Sequence, residues 1–286
     1  MQKSRKKFWI VFSVVCVTIV AFLSVAVFAT RLKTVAITFE SRLAQNETML
    51  EEGIQDKILK NGEFDYGKTV LFMNFEENIA RIEKLNPFVK VVDVETIFPN
   101  KAKVKISERI PVYRVQDSED AFKWYVLDKD FKVLHEIVGS VKNEVYSNTT
   151  YYAKTMEISP EFLTLSAEKG EFVTTKSTQR STLKTIAQSI EAVVESVAIV
   201  SSVSVSTSDN VTYTLTMKNA GLNDDNGCQI VVTGNDNLRT KIMAGMLCYR
   251  ANAEIKNDDE LANQVITIQE SSESKIGYVG IMSPKV

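Results

Sequence analysis

A single histidine, His135, stands in 286 residues, and cysteine is nearly as scarce, at Cys16, Cys228 and Cys248. Any Ser/His/Asp catalytic set would have to pass through His135, which sits in the alternating run Phe131-Lys132-Val133-Leu134-His135-Glu136 and reads as a structural or solvent-facing strand residue. A zinc centre lacks its ligands, because Cys228 and Cys248 are not closely spaced and no second histidine completes a set of four. No G-x-G-x-x-G run occurs. The chain therefore reads as no enzyme, with no cofactor, no metal and no small-molecule substrate. A disulfide between Cys228 and Cys248 and a pair of buried free thiols are both open, since sequence does not set the separation of their Cβ atoms.

Acid is absent from the first 33 residues, which carry Lys3, Arg5, Lys6, Lys7, Arg31 and Lys33. The rest of the chain holds 28 Lys+Arg against 36 Asp+Glu, an acidic balance that argues against nucleic acid as a partner.

Between the two basic clusters, Phe8 to Thr30 runs 23 positions without a charge. A helix of that length reaches roughly 34 Å, enough to cross a hydrocarbon core of about 30 Å. The cations ahead of it hold residues 1–7 in the cytoplasm by the positive-inside bias, so that the C-terminal part lies outside the membrane. A cleaved signal peptide is the rival reading, but its apolar core runs only about 7 to 15 residues. The lipid bilayer is thus one expected partner, through residues 8–30.

Beyond the anchor, Leu32 to Glu40 reads as a strand. A helix is expected from the Thr48/Glu51 capping pair to a left-handed stop at Asn61-Gly62, with Leu50, Ile54 and Ile58 on its apolar face. After Tyr66 to Met73, with its run Val70, Leu71, Phe72, a second helix opens on Asn74 and Glu77. It buries Phe75, Ile79, Ile82 and Leu85 and ends at Asn86-Pro87. The acidic pairs Glu51-Glu52 and Glu76-Glu77 are expected in first helical turns, where they favour the positive end of the dipole. A hairpin follows, in which Val92, Val94, Thr96 and Phe98 alternate before Pro99-Asn100, and Ala102, Val104 and Ile106 alternate after it. Strand, helix, helix, strand, strand gives a two-layer α+β domain.

Farther on, Trp124–Asp128 and Phe131–Leu134 read as a hairpin, residues 139–159 as a variable loop or weak strand, and Phe162 to Thr175 as a hairpin around Glu168-Lys169-Gly170. Thr178 to Val197 is expected to be helical, with Leu183, Ile186, Ala187, Ile190, Val193, Val194 and Val197 on one face. Strands are expected at Ile199–Ser206, Val211–Met217, Cys228–Thr233, Gln264–Gln269 and Ile276–Met282, with a late helix continued by Ile242, Met246 and Tyr249. Asn46, Asn148 and Asn210 each head an N-x-T sequon and read as coincidences of a Thr-rich chain.

The strand-helix-helix-strand-strand order resembles a POTRA domain, and its setting resembles the FtsQ/DivIB proteins of bacterial cell division. The resemblance rests on the basic tail and single anchor, the strand LKTVAITFE directly outside it, Leu85-Asn86-Pro87-Phe88-Val89, Pro99 in the hairpin turn, and Ser107-Glu108-Arg109-Ile110-Pro111-Val112, which is similar to an "ER-x-P-V" exit. Gly234, Leu238 and Lys241 resemble the family's "G-x-x-x-L-x-x-K" helix entry. Two departures stand out: Asp130-Phe131 occupies a turn where the family places glycine, and Thr267 and Gln269 occupy places where it usually has Asp and Arg.

The fold class that follows is α+β: a single N-terminal transmembrane helix, a POTRA domain, then a second α+β domain with a mostly antiparallel sheet. The expected segments are tail 1–7, anchor 8–30, POTRA domain 31–112 and C-terminal β domain 113–283. The resemblance implies a non-enzymatic divisome scaffold in the plasma membrane at the septum, with partners of the FtsB/DivIC and FtsL type. It implies that the last part of the C-terminal sheet receives a partner strand, which here points to Val265, Thr267, Gln269 and Tyr278. The alternatives are a POTRA-type transport or assembly module, which would need the roughly 10-residue strand repeats of a C-terminal barrel, and an anchored exoenzyme, which would need a concave pocket with a shifted group.

Overall fold

The computed structural model describes residues 2–43, 48–62, 64–70, 73–139, 145–146, 149–208, 210–218 and 227–285. Leu71, Phe72, Asn46 and Asn148 lie outside them. The chain divides into two compact units, the first running through Glu108 and the second starting at Arg109, so that Arg109–Val112 enter the second unit ahead of and within its first strand.

In the first unit, α1 (Gln2–Ala29) contains the apolar run, with Phe8–Ala29 long and apolar enough to cross a membrane. β1 (Thr34–Ser41), α2 (Ile54–Asn61), α3 (Glu76–Leu85), β2 (Val89–Ile97) and β3 (Lys101–Glu108) then give the expected strand-helix-helix-strand-strand order. The sheet runs β1-β3-β2, with β1 parallel and β2 antiparallel to β3. Its core joins Val35 and Ile37 of β1, Ile54 and Ile58 of α2, Ile82 of α3 and Ala102, Val104 and Ile106 of β3.

Several local expectations are corrected. α2 starts at Ile54 because Gly53 before it is left-handed (φ 71°), so Glu51 and Glu52 precede the helix, and Glu51 pairs with Lys57 instead (2.6 Å). Gly62 after the helix is right-handed (φ −69°), and its N–H donates to the Ile58 carbonyl at 2.7 Å. At α3 it is the Glu76 N–H that donates to Asn74 Oδ1 (2.9 Å), while Leu85 at the other end is exposed. In β2 a bulge between Val91 and Asp93 changes the phase of the alternation. Val89 is buried and Val91 and Val94 pack on the core, whereas Val92 and Phe98 face water.

The second unit opens with β4 (Pro111–Asp117), β5 (Lys123–Asp128) and β6 (Val133–Val138). Residues 139–159, read as a loop or weak strand, hold the two-residue strands β7 (Val145–Tyr146) and β8 (Thr149–Thr150), the turn α4 (Tyr151–Lys154) and β9 (Met156–Ile158). The expected hairpin at Phe162 to Thr175 does not form. Its first arm, β10 (Thr164–Leu165), lies parallel to β4, and its second arm bonds to Phe131 and Val133, because each finds a longer neighbour than the other. α5 (Ser177–Val194) ends three residues early, and Val197 falls in a short 3₁₀ turn. β11 (Val200–Ser206), β12 (Thr212–Met217), β13 (Gln229–Thr233), α6 (Leu238–Ala253), α7 (Asp258–Ala262), β14 (Gln264–Glu270) and β15 (Tyr278–Pro284) complete it. α7, missed in sequence, is capped by Asn257 and Glu260 reciprocally.

These strands form one mixed sheet, ordered β15-β14-β13-β12-β11-β9-β4-β5-β6. The pairs β13–β14, β11–β9 and β9–β4 are parallel and the other five on that path antiparallel. α5 contributes Leu183, Ile186 and Ile190 to its core, and α6 contributes Ile242 and Met246. Arg114 of β4 is fully buried. Its guanidinium donates to the Thr155 carbonyl (2.8 Å) and hydroxyl (2.9 Å) and to the Ser201 carbonyl (3.4 Å), which ties β4 to the segments on both sides of β9.

Candidate partner-binding edge of the C-terminal sheet

The order of strands leaves β15 at one end of the sheet, where among the described residues no strand pairs with its outer edge. Its inner side pairs with β14 from Glu270↔Tyr278 to Gln264↔Pro284. Two bonds beyond the strand ends set the phase: the Ser271 N–H donates to the Gly277 carbonyl (3.0 Å) and the Lys285 N–H to the Asn263 carbonyl (2.8 Å). Because antiparallel ladders alternate bonded and non-bonded pairs, Val279, Ile281 and Ser283 bond inward, while Tyr278, Gly280 and Met282 point their N–H and C=O groups outward. Pro284 ends the row of donors.

The two faces of β15 differ. Gly280 faces α6 so closely that a Cβ there would stand 2.7 Å from Cys248 Cβ and 3.1 Å from the Ala244 carbonyl. Tyr278, on the same face, is buried; Asn237 Nδ2 donates to its hydroxyl (3.0 Å), and the Lys241 ammonium lies 5.6 Å from its ring centroid. Lys241 is itself held by the Thr233 carbonyl (2.9 Å) and by Asp236 (3.1 Å), whose carboxyl it holds below the usual range. The opposite face carries Val279 and Ile281, 42% and 41% exposed, an uncovered apolar pair on an open edge.

Of the sequence-predicted residues, Val265, Thr267 and Gln269 lie on β14, one strand in from the edge, and Tyr278 lies on the edge strand itself. The unpaired backbone thus belongs to Tyr278–Pro284 and not to Val265–Gln269, whose first half is paired on both sides, to β13 and to β15. The structure nevertheless brings the three β14 residues onto the same face as the apolar pair. Thr267 is the cross-strand partner of Ile281, Gln269 of Val279 and Val265 of Ser283. Sequence reasoning missed Val279 and Ile281, although the uncharged run Tyr278–Met282 in the last strand was a visible signal.

The remaining chemistry is sparse. Cys228 and Cys248 are free thiols, and burial pushes Cys228 up to about 11, far from a reactive thiolate. His135 stacks on Tyr151, with ring centroids 4.9 Å apart. An open groove of about 1110 Å³ lies beside α5, lined by residues including Phe162, Thr182, Tyr213, Asn235 and Arg239; its lining has no histidine, lysine or cysteine. Burial raises the Tyr213 hydroxyl there, which keeps it protonated. Among the described residues no group of three or more His, Cys, Asp or Glu could hold a metal ion.

A two-layer domain of this order is that of a POTRA-bearing scaffold protein. Residues 51–109, covering α2, α3, β2 and β3, match the family model of the POTRA domain, FtsQ-type. A search of curated proteins found no match.

Proposed function

We propose that the protein is a bitopic scaffold of the bacterial divisome, anchored by Phe8–Ala29 with its N-terminus in the cytoplasm, that recruits or regulates partners at the septum by accepting a strand on the outer edge of β15. The observation that carries this reading is the open edge with Val279 and Ile281 exposed on one face. A strand added there gains affinity from the outward N–H and C=O groups of Tyr278, Gly280 and Met282 and specificity from the apolar pair. Val265, Thr267 and Gln269 then flank the docked strand as side-chain contacts, with Tyr278 fixing the start of the edge. The partners expected are small membrane proteins of the FtsB/DivIC and FtsL type.

Co-purification from membranes tests the reading. The wild-type chain retains such partners and the Ile281→Asp variant, with unchanged thermal stability, releases them. Equal retention by a folded Ile281→Asp variant overturns the edge-docking reading.

A further inference from the structure

The first unit joins its long apolar helix to its sheet without a free linker. Thr30 and Leu32 are clamped by the loop before α3: the Val70 N–H donates to the Thr30 carbonyl (2.9 Å), the Leu32 N–H to the Lys68 carbonyl (2.8 Å) and the Gly67 N–H to the Leu32 carbonyl (3.0 Å). The Thr30 and Thr69 hydroxyls add a side-chain bond of 2.7 Å. Directly after them, the Lys33 N–H donates to the carbonyl of Asn100 (2.8 Å), in the turn of the β2–β3 hairpin. Because β3 runs parallel to β1, away from the helix, that turn lies at the helix-proximal end of the domain. From Ala29 to Lys33 the chain spans at most about 14 Å, so the turn is held within a lipid headgroup's depth of the helix end.

The composition of this end suits a membrane surface. Phe98 is 72% exposed and Ile97 46%, at the tip of a turn where polar residues are the rule. Tyr66, in the clamp loop, is 52% exposed. Around them stand the exposed cations Arg31, Lys33, Lys68 and Lys101, and Arg31 lays its guanidinium 4.7 Å from the Phe28 ring centroid at the end of α1. Among residues 30–33, 65–69 and 97–101 the one acid is Asp65, already paired with Lys68 (2.7 Å). Aromatic rings beside Lys and Arg are the composition that settles at the bilayer interface, rings among the headgroups and cations on the phosphates.

We infer that the POTRA-domain hairpin tip Ile97-Phe98-Pro99 and Tyr66 insert into the lipid headgroup layer around the anchor, a second membrane contact that seats the domain on the bilayer. The inference rests on the anchor reading of α1, and the test separates the two. The full-length chain is placed in nanodiscs of brominated lipid, which quenches nearby tryptophan. Trp124→Phe leaves Trp9, inside α1, as the reporter of the anchor. In a Trp9→Phe/Trp124→Phe background, Phe98→Trp reports the tip, and Leu85→Trp reports the opposite end of the domain. The expected result is strong quenching of Trp9, blue-shifted and clearly quenched emission from position 98, and none at position 85. Quenching of Trp9 with none at position 98 overturns the inference and leaves the anchor standing. A blue shift at 98 without quenching places the ring against a second copy of the chain and also overturns it. Loss of quenching at both Trp9 and 98 removes the anchor and the inference together.

Discussion

Arg109 and Asp128 form a buried ion pair, guanidinium to carboxylate at 2.6 Å with both side chains 4% exposed. The other oxygen of Asp128 accepts the N–H groups of Asp130 (2.9 Å) and Lys132 (2.8 Å), so one carboxylate holds both the chain entering β4 and the β5–β6 turn. Removing one partner of such a pair leaves a buried charge uncompensated, at a cost of about 3–5 kcal/mol. Arg109→Ala is therefore expected to lower the denaturation midpoint sharply, read by chemical unfolding of the whole chain. Arg109→Lys should recover part of the loss, since an ammonium keeps the charge but loses the planar fork.

The same turn holds Phe131 at φ 67° with its side chain fully buried, its ring stacked on Tyr113 at 5.0 Å between centroids. A left-handed non-glycine residue costs about 1–2 kcal/mol, whereas a buried phenylalanine contributes about 3–5 kcal/mol relative to alanine. Packing wins, which is why phenylalanine can stand where glycine would relieve the backbone. Phe131→Ala keeps the strain and loses the ring. Phe131→Gly loses the ring but relieves the strain, and is expected to be the less destabilising of the two by about 1 kcal/mol. Equilibrium unfolding of both variants measures the difference.

The first unit was legible because its hairpin is local and its helices are periodic, although β1 pairs with the distant β3. β2 and β3 are joined by a short turn, and their alternation, with the helix periodicities before them, gives the layer order directly. What failed there depended on single backbone angles, such as Gly53 delaying α2 and the bulge at Val92 turning that side chain out. The second unit was less legible because its sheet order is nonlocal. β9 is three residues long, too short to show a period, yet it sits between β4 and β11. Arg114 carries a charge on a strand, and its burial is explained by distant acceptors, among them the carbonyls of Thr155 and Ser201. The edge was misplaced by one strand for the same reason: sequence shows that β14 and β15 exist but not that β14 lies parallel to β13 and is covered on both sides.

Asp117, at the end of β4, supplies a pH prediction. Desolvation raises its carboxyl, but the Tyr125 hydroxyl, the N–H groups of Glu119 (2.7 Å) and Asp120 (3.1 Å) and the nearby Lys123 outweigh that, and the net shift is downward. A carboxyl depressed in the folded state adds stability above its unfolded value of about 3.9, and that stability is lost as the pH falls through the lower folded value. Asp117→Asn is expected to be less stable than wild type at neutral pH, with the gap closing in acid below about pH 4. Parallel denaturant titrations across that range check it; a gap that stays constant with pH removes the carboxylate from the explanation.

Three substitutions at the C-terminal edge separate folding from docking. Gly280→Val places a Cβ 2.7 Å from Cys248 Cβ and 3.0 Å from Ile266 Cγ2, and overpacking of this kind costs about 1–3 kcal/mol, so its thermal midpoint should fall. Thr267→Pro removes an N–H from a strand paired on both sides, because Thr267 faces Val231 of β13 as well as Ile281 of β15. It should destabilise the whole sheet, and loss of partner binding in that variant reports unfolding and not a blocked edge. Ile281→Asp changes a half-exposed side chain that bonds to no other strand's core, so its midpoint should stay within about 0.5 kcal/mol of wild type. Partner retention should nonetheless drop, because the charge sits where an added strand would bury its own apolar residues. Only that combination, folded and unbound, assigns the outer edge of β15 to a partner.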